Sequence, residues 1–142
     1  MKKSLKPGLK VDFIYQVPVE KTVPNLLTES KEFGLMPKVL ATGYMVALFE
    51  WACIIAVNPY LDWPEEQTVG IHVNFSHVAA TPPGLKVHIL GDLTQIDGKK
   101  LAFKLKADDG VDLISEGTHE RFIINRSMFN EKMREKAHAV SN

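Results

Sequence analysis

The chain has 142 residues, of which 45% are hydrophobic and 24% are charged. This length and balance are typical of one globular domain and exclude a disordered chain. The 17 basic and 17 acidic residues cancel, which argues against a dedicated nucleic-acid-binding protein, since such proteins present a basic face.

Other features of the sequence limit the possible cofactors and the cellular compartment. Cys53 is the single cysteine, so the sequence predicts no internal disulfide, and no His, Asp or Glu spacing indicates a metal or other cofactor. Glu50 interrupts the apolar run of residues 45–57, which argues against a membrane span. The N-terminus is basic but lacks the apolar core of a signal peptide, so we expect a cytoplasmic protein.

The first forty residues predict one strand and a short helical segment. Residues 9–17 alternate apolar and polar side chains as a strand does. Pro18 and Pro24 bracket a segment that we expect to be irregular. Residues 28–33 carry Thr or Ser before Glu, a helix-start pattern that predicts a short helix or lid ending near residues 36–37.

Residues 42–57 are the strongest predicted helix of the chain. Apolar residues recur there at three- and four-residue steps. Thr42 is a candidate N-cap, and Asn58-Pro59 ends the helix. Because the helix is apolar almost all round, we expect it to be buried.

From residue 68 onward the hydrophobic period changes to two, which predicts strands. These strands cover residues 68–77, 86–95, 100–107 and 115–125. Asp97-Gly98 and Asp109-Gly110 supply the positive φ that tight hairpins need. A short polar helix from Ser127 is predicted to close the chain.

This order of elements predicts an α+β hotdog fold over residues 1–142 as a single domain. Short turns force neighbouring strands to be antiparallel. One apolar helix and one curved antiparallel sheet then make a two-layer domain in which the sheet wraps around the helix. Such a sheet leaves an edge unpaired, and we expect a homodimer to form through that edge.

Glu50 is the most informative residue, because it lies in the middle of an apolar helix. A carboxylate in this position must be paired, protonated or open to a cavity. It is either a structural group bonded to a neighbouring strand or subunit, or a catalytic base or nucleophile. Thr42 lies eight residues earlier, so both side chains can border one pocket without touching; the alternative role of Thr42 is the helix cap.

His77 ends the second predicted strand. Five residues separate it from His72, so in a regular strand the two rings face opposite sides and only one points at the helix. A strand histidine can be a satisfied structural group or, at a strand end, part of a cleft. Both interpretations stay open on the residues alone.

Five segments carry a family resemblance that spans nearly the whole chain. They are TGYMVALFEWAC at residues 42–53, VPVEKTV at 17–23, SHVAATPPGL at 76–85, DGVD at 109–112 and GTHER at 117–121. Together they resemble the fluoroacetyl-CoA thioesterase family. The resemblance implies a homodimeric hotdog enzyme that hydrolyses short acyl-CoA thioesters, with the pocket between subunits.

By match to the family, the catalytic residues are Thr42, Glu50 and His77. The resemblance implies that Glu50 is the nucleophile or the base for water, that Thr42 bonds to the thioester or to Glu50, and that His77 orients water or moves protons. The backbone N–H near Gly70 matches the oxyanion donor, and Arg121 matches an arginine near the active site. We expect His77 to come from the adjacent strand or from the other subunit.

The resemblance also implies a hydrophobic lid over the acyl group, formed by Val23, Leu26, Phe33 and Met36. The fluoroacetyl-specific enzyme has a second Phe where this chain has Met36, and that Phe gates selection for fluorine. Met is flexible and lacks the rigid ring, so selectivity for fluoroacetyl over acetyl is in question here.

Two other functions remain as alternatives to hydrolysis. A non-catalytic acyl-CoA-binding hotdog module would keep the pocket without using the three catalytic residues. A hotdog dehydratase or hydratase would act on 3-hydroxyacyl or enoyl thioesters. In each case the CoA phosphates need cationic partners, for which the candidates are Lys38, Lys86 and Arg121.

Overall fold

A computed structural model describes residues 1–140, which form five strands and four α-helices. In chain order these are β1 (Lys10–Gln16), α1 (Val23–Leu26), α2 (Lys31–Gly34), α3 (Thr42–Val57), β2 (Glu66–Phe75), β3 (Lys86–Asp97), β4 (Lys100–Asp108), β5 (Leu113–Asn125) and α4 (Arg126–Val140). All five predicted strands are present. The largest error falls on β2, which ends two residues before His77.

The strands form one antiparallel sheet in the order β1-β3-β4-β5-β2, so β1 and β2 are its edges. Gly98 (φ +60°) joins β3 to β4 and Gly110 (φ +88°) lies between β4 and β5, as the two Asp-Gly pairs predict. The curled sheet with α3 on its inner side confirms the α+β hotdog prediction.

The core lies between α3 and the inner face of the sheet. From β3 and β4 it takes the alternating side chains of Val87, Ile89, Leu93, Leu101, Phe103 and Leu105. Phe49 of α3 stacks on Phe75 of β2 with 4.1 Å between ring centroids. Burying each such side chain contributes about 1.5–3 kcal/mol, which fixes α3 against the strands that carry the site.

A β-bulge at Ile71 changes which side chains of β2 face inward. Gly70 pairs with Arg121 and His72 with Glu120, so two steps on β2 oppose one step on β5. Thr68 and Gly70 face the helix before the bulge, and Val73 faces it afterwards, because one extra residue reverses the alternation. The simple alternation expected between His72 and His77 therefore does not apply.

Two expectations about α3 are wrong in part. The N-cap is Ala41, and no side chain caps the helix, so Thr42 is its first helical residue. One face of the helix is buried, but Trp51 is 45% exposed and Ile55 47% exposed on the opposite face. Residues Thr42–Tyr60 are also long and apolar enough to cross a membrane, so Glu50 does not by itself exclude a span; the buried face of this helix packs on the sheet as a core helix does.

The segment before α3 is more helical than expected. A 3₁₀ turn at Val19–Lys21 and α1 lie where an irregular chain was predicted. The predicted lid helix is α2, and its cap is Ser30, whose Oγ accepts from the Phe33 N–H at 3.1 Å. The C-terminal helix α4 runs for 15 residues with no buried side chain, longer than the short helix expected.

Candidate active site

Thr42 and His77 meet at the start of α3. The Thr42 Oγ1 and the His77 Nδ1 are 2.7 Å apart. His77 lies just beyond β2, between two residues tied to β5 through Ser76 N–H to Glu116 O (3.1 Å) and Val78 N–H to Ile114 O (2.8 Å). Both partners belong to one chain, so this pair needs no second subunit.

The loop that carries His77 is anchored on both sides. Leu40 N–H donates to Thr81 O at 2.8 Å, which joins the chain before Thr42 to the chain after His77. The Thr81 hydroxyl donates to Asp109 Oδ2 at 2.8 Å, and Thr81 is fully buried. These bonds fix the approach of the two loops, and with it the Thr42–His77 distance.

The surroundings of the His77 ring keep it neutral and leave one of its nitrogens without a partner. Burial lowers its pKa below 6.5, so the ring is neutral near pH 7. Its Nε2 is buried and has no hydrogen-bond partner among residues 1–140. A buried ring nitrogen without a partner is unusual in a purely structural histidine, and it is free to bond to water or substrate.

Glu50 is paired and accessible at once. Its Oε1 accepts from Arg121 Nη1 at 3.1 Å. The Arg121 side chain is 3% exposed, whereas the Glu50 side chain is 39% exposed. Burial lowers the pKa of Arg121, and the charge of Glu50 opposes that effect. The ion pair thus holds the carboxylate by one oxygen without enclosing it.

Gly70 of β2 lies directly against this carboxylate. A Cβ added at Gly70 would come within 2.4 Å of Glu50 Oε1 and 3.5 Å of Arg121 Nη1. Real Cβ atoms do not approach so closely, so only glycine lets the β2 backbone contact Glu50 here. The structure therefore brings the predicted residues Glu50, Gly70 and Arg121 together.

The predicted lid residues form one apolar cavity. The cavity has a volume of about 480 Å³ and is lined by Val23, Leu26, Leu27, Glu32, Phe33, Met36, Ala41, Thr42 and Gly43. All four predicted lid side chains line it, and so does Thr42 at the start of α3. Within one chain, no hydrogen bond joins Thr42 or His77 to Glu50 among the described residues, so the structure shows two groups of site residues.

A larger groove lies away from both groups. It has a volume of about 860 Å³ and runs over the outer face of the sheet, lined by residues such as Asp12, Asp92, Lys104 and Glu116. Its charges are mixed, and it contains none of the predicted site residues. The chemistry-bearing residues therefore favour the smaller apolar cavity.

Two further residues of the site were not predicted from the sequence. Thr68 and His119 both bond to the Arg121 guanidinium. The spacing of these residues could have indicated them. Thr68 lies two residues before Gly70, and His119 lies two residues before Arg121, so each shares a strand face with a predicted site residue. No cluster of three metal-binding side chains occurs among the described residues.

Comparison with known proteins decides the family. The family model described as fluoroacetyl-CoA-specific thioesterase matches residues 20–127. A curated relative, the fluoroacetyl-CoA thioesterase of Streptantibioticus cattleyicolor, is 45% identical over 139 residues, which is 98% of this chain and 99% of the relative.

The chain belongs to the fluoroacetyl-CoA-specific thioesterase family. A solved structure of a fluoroacetyl-CoA thioesterase has a TM-score of 0.91 at 44% identity, covering 94% of this chain and 98% of that one. Another solved structure, of a threonine-to-serine variant in complex with acetyl-CoA, has a TM-score of 0.90 at 44% identity, covering 93% and 98% of the two chains.

More distant structures share the fold of this thioesterase family. A hypothetical protein of Thermus thermophilus, described as a thioesterase superfamily member, has a TM-score of 0.84 at 24% identity and covers 98% of each chain. At that identity the likeness shows the hotdog fold alone.

Proposed function

We propose that this protein hydrolyses short-chain acyl-CoA thioesters, with Glu50 as the carboxylate that acts at the thioester carbonyl. The observation that carries the proposal is the environment of the Glu50 carboxylate. Buried Arg121 binds one of its oxygens, and the side chain is still 39% exposed beside Gly70. The substrate class is supported by the relatives, one named fluoroacetyl-CoA thioesterase and one solved with acetyl-CoA.

Two routes are open to Glu50. As a base, it takes a proton from water while the water oxygen bonds to the carbonyl carbon. As a nucleophile, it attacks that carbon itself and forms an anhydride that water then hydrolyses. In both routes the C–S bond breaks, the sulfur leaves as thiolate and gains a proton, and each thioester yields one carboxylic acid and one CoA thiol.

The developing oxyanion needs a fixed donor, and we assign this role to the backbone N–H near Gly70. The β-bulge after Gly70 interrupts the regular pairing of β2 with β5 at this position. Because Gly70 contacts Glu50, a carbonyl reached by the carboxylate lies close to this backbone. A preorganised backbone donor of this kind stabilises the tetrahedral intermediate.

Thr42 and His77 are proposed to position the thioester and to move protons. Thr42 lines the lid cavity and bonds to His77 Nδ1, so it joins the acyl pocket to the neutral imidazole. The second ring nitrogen is then free to give a proton to, or take one from, water or the leaving group.

The lid cavity is proposed to hold the acyl group, and its apolar lining suits a short chain. For the CoA phosphates we propose Lys38 and Lys86, both exposed. Arg121 is unsuited to a phosphate because it is buried and its N–H groups bond to Thr68, His119 and Glu50.

We further propose a homodimer formed through the β2 edge. Ile71 and Val73 on that edge are each 49% exposed, whereas on β1 the exposed Ile14 (57%) shares the strand with the charged Lys10 and Asp12. Charges on an edge strand discourage pairing, and exposed apolar residues favour it. Glu50 and Gly70 border the same β2 edge, so a partner there would close the open side of Glu50.

The function is tested by thiol release from acetyl-, fluoroacetyl-, propionyl- and longer acyl-CoAs. We expect hydrolysis of the short substrates, and no thiol from any substrate would contradict the proposal and favour the binding module. Cys53 will not add to the signal, because burial raises the pKa of its thiol to about 12. Loss of enoyl absorbance from crotonyl-CoA would instead indicate a hydratase.

A further inference from the structure

A polar network behind Glu50 is unassigned by the function above. Its centre is the Arg121 guanidinium, which is 3% exposed and faces the inner side of the sheet. A buried cation of this kind must satisfy its N–H groups internally, since leaving one unpaired is costly. The arrangement of those partners decides where the guanidinium points.

Thr68 holds one edge of the guanidinium by two bonds. Arg121 Nε donates to Thr68 Oγ1 at 2.8 Å, and Arg121 Nη2 donates to Thr68 O at 2.8 Å. Two parallel bonds to one residue fix the plane of the guanidinium as well as its position. The remaining nitrogen, Nη1, is thereby directed at Glu50 and His119.

His119 holds the Nη1 end, and its protonation state follows from its own partners. Its Nδ1 lies 2.7 Å from His72 O, a carbonyl that only accepts, so Nδ1 carries the hydrogen. Its Nε2 is then the acceptor that faces Arg121 Nη1 at 3.2 Å. The ring is fully buried, and burial, with the charge of Arg121, keeps its pKa below 6.5.

We propose that Thr68 and His119 are positioning residues for catalysis, which aim Arg121 Nη1 at Glu50 Oε1 and so set the position of the carboxylate relative to the substrate carbonyl. This inference rests on the proposed thioesterase function. Thr68 and His119 act only through Arg121. A small displacement of a catalytic group lowers turnover strongly, so loosening this network should reduce kcat without changing substrate affinity.

The test compares Thr68→Val with Thr68→Ser and Thr118→Val. Val keeps the shape of Thr68 but removes the Oγ1 acceptor, whereas Ser retains it. Thr118 is the matched control, because it lies on the outer face of β5 and is exposed. We expect Thr68→Val to lower kcat about 10- to 100-fold with KM changed less than about twofold, and both Thr68→Ser and Thr118→Val to stay close to wild type.

A second variant and a second measurement separate positioning from folding. His119→Phe keeps the ring against Phe75 and Phe103 but removes both nitrogens, and the same loss of kcat is expected. In ¹H–¹⁵N spectra the Arg121 Nε–H should be protected from solvent exchange in wild type and Thr68→Ser, and exchange faster in Thr68→Val.

Each outcome decides one of the two proposals. Wild-type protein that releases no thiol overturns the thioesterase proposal, and the exchange of the Arg121 Nε–H still reports on the network. An active wild type with unchanged kcat in Thr68→Val, or an unprotected Arg121 Nε–H in wild type, overturns the positioning role. A Thr68→Val protein that is folded, slower and normal in KM supports it.

Discussion

At the scale of single residues, Glu50 shows how one carboxylate can be both anchored by an ion pair and open to solvent. From the sequence, Glu50 in an apolar helix had to be paired, protonated or open to a cavity. The structure combines pairing with exposure, because the buried partner is Arg121 and Glu50 remains 39% exposed. Glu50 was therefore predictable as an unusual group from the residues alone, whereas only the family resemblance placed Arg121 near it, because Arg121 lies 71 residues away in the chain.

Gly70→Ala tests the close approach of β2 to Glu50. The new Cβ would lie 2.4 Å from Glu50 Oε1, so the carboxylate must shift, which disturbs its hydrogen bond to Arg121. We expect kcat/KM to fall at least about tenfold, and the free energy of unfolding to fall by about 1–3 kcal/mol as the buried cation loses a charged hydrogen bond. Steady-state kinetics and urea unfolding measure the two effects.

Gly34→Ala is the control for that substitution, because no atom lies within 4 Å of its added Cβ. It should leave both quantities nearly unchanged. Full activity in Gly70→Ala would mean that Glu50 does not need the position seen here.

The lowered pKa of His77 predicts how the free energy of unfolding depends on pH. Burial lowers the pKa of His77 below 6.5 in the folded state, whereas the unfolded chain keeps the ordinary value. As pH falls through 6.5 the unfolded state binds the proton first, so the free energy of unfolding decreases until the folded pKa is reached. We expect urea midpoints to fall between pH 7.5 and 5.5, and to fall less in His77→Gln; an equal fall in both proteins would contradict the assignment.

At the scale of elements, the site depends on where strands and helices end. The alternation in residues 68–77 predicted a strand through His77, but β2 stops at Phe75 and is bulged at Ile71. An alternating sequence pattern does not reveal a bulge, because one extra residue only changes which side chains of the strand face inward after it. The prediction of Thr42 as a cap failed for a related reason: its hydroxyl bonds to His77, a residue that tertiary folding brings to the helix start.

Residues of α1 and α2, with Met36 just after α2, line the cavity that is proposed to hold the acyl group, and Met36→Phe tests that role. A rigid ring in place of the flexible Met36 should narrow the choice of acyl group. We expect the ratio of kcat/KM for fluoroacetyl-CoA over acetyl-CoA to rise about tenfold.

Leu35→Phe is the matched control for the lid. Leu35 is adjacent in sequence but 89% exposed, and it does not line the cavity. A similar change of the ratio in Leu35→Phe, or none in Met36→Phe, would remove Met36 from the specificity pocket.

At the scale of the whole molecule, the fold was the easiest feature to predict. The strand periods, the Asp-Gly turns and the apolar helix agree with one another, and such agreement between levels specifies a single architecture. The exposed side of α3 was not predicted, since composition alone made the helix apolar all round. Trp51 and Ile55 lie on that exposed side.

The proposed dimer predicts that substitutions on the β2 edge, but not on the β1 edge, change the mass in solution. Replacing both Ile71 and Val73 by Lys puts like charges on the β2 edge, and we expect the mass in solution to fall from about twice 15.9 kDa to 15.9 kDa. Ile14→Lys on the β1 edge, where Ile14 is 57% exposed, should leave the dimer intact. Sedimentation of the three proteins distinguishes these outcomes, and a wild-type monomer would refute the dimer.

The most direct measurement is the rate of CoA thiol release by Glu50→Gln. Gln retains an oxygen that accepts from Arg121, so the fold should be preserved while the negative charge is lost. Removing a base or nucleophile of this kind should lower kcat by about 10²–10⁴-fold in a protein that stays folded, although its melting temperature should fall because buried Arg121 loses its counter-charge. Turnover within a few-fold of wild type would show that this carboxylate is not part of the reaction.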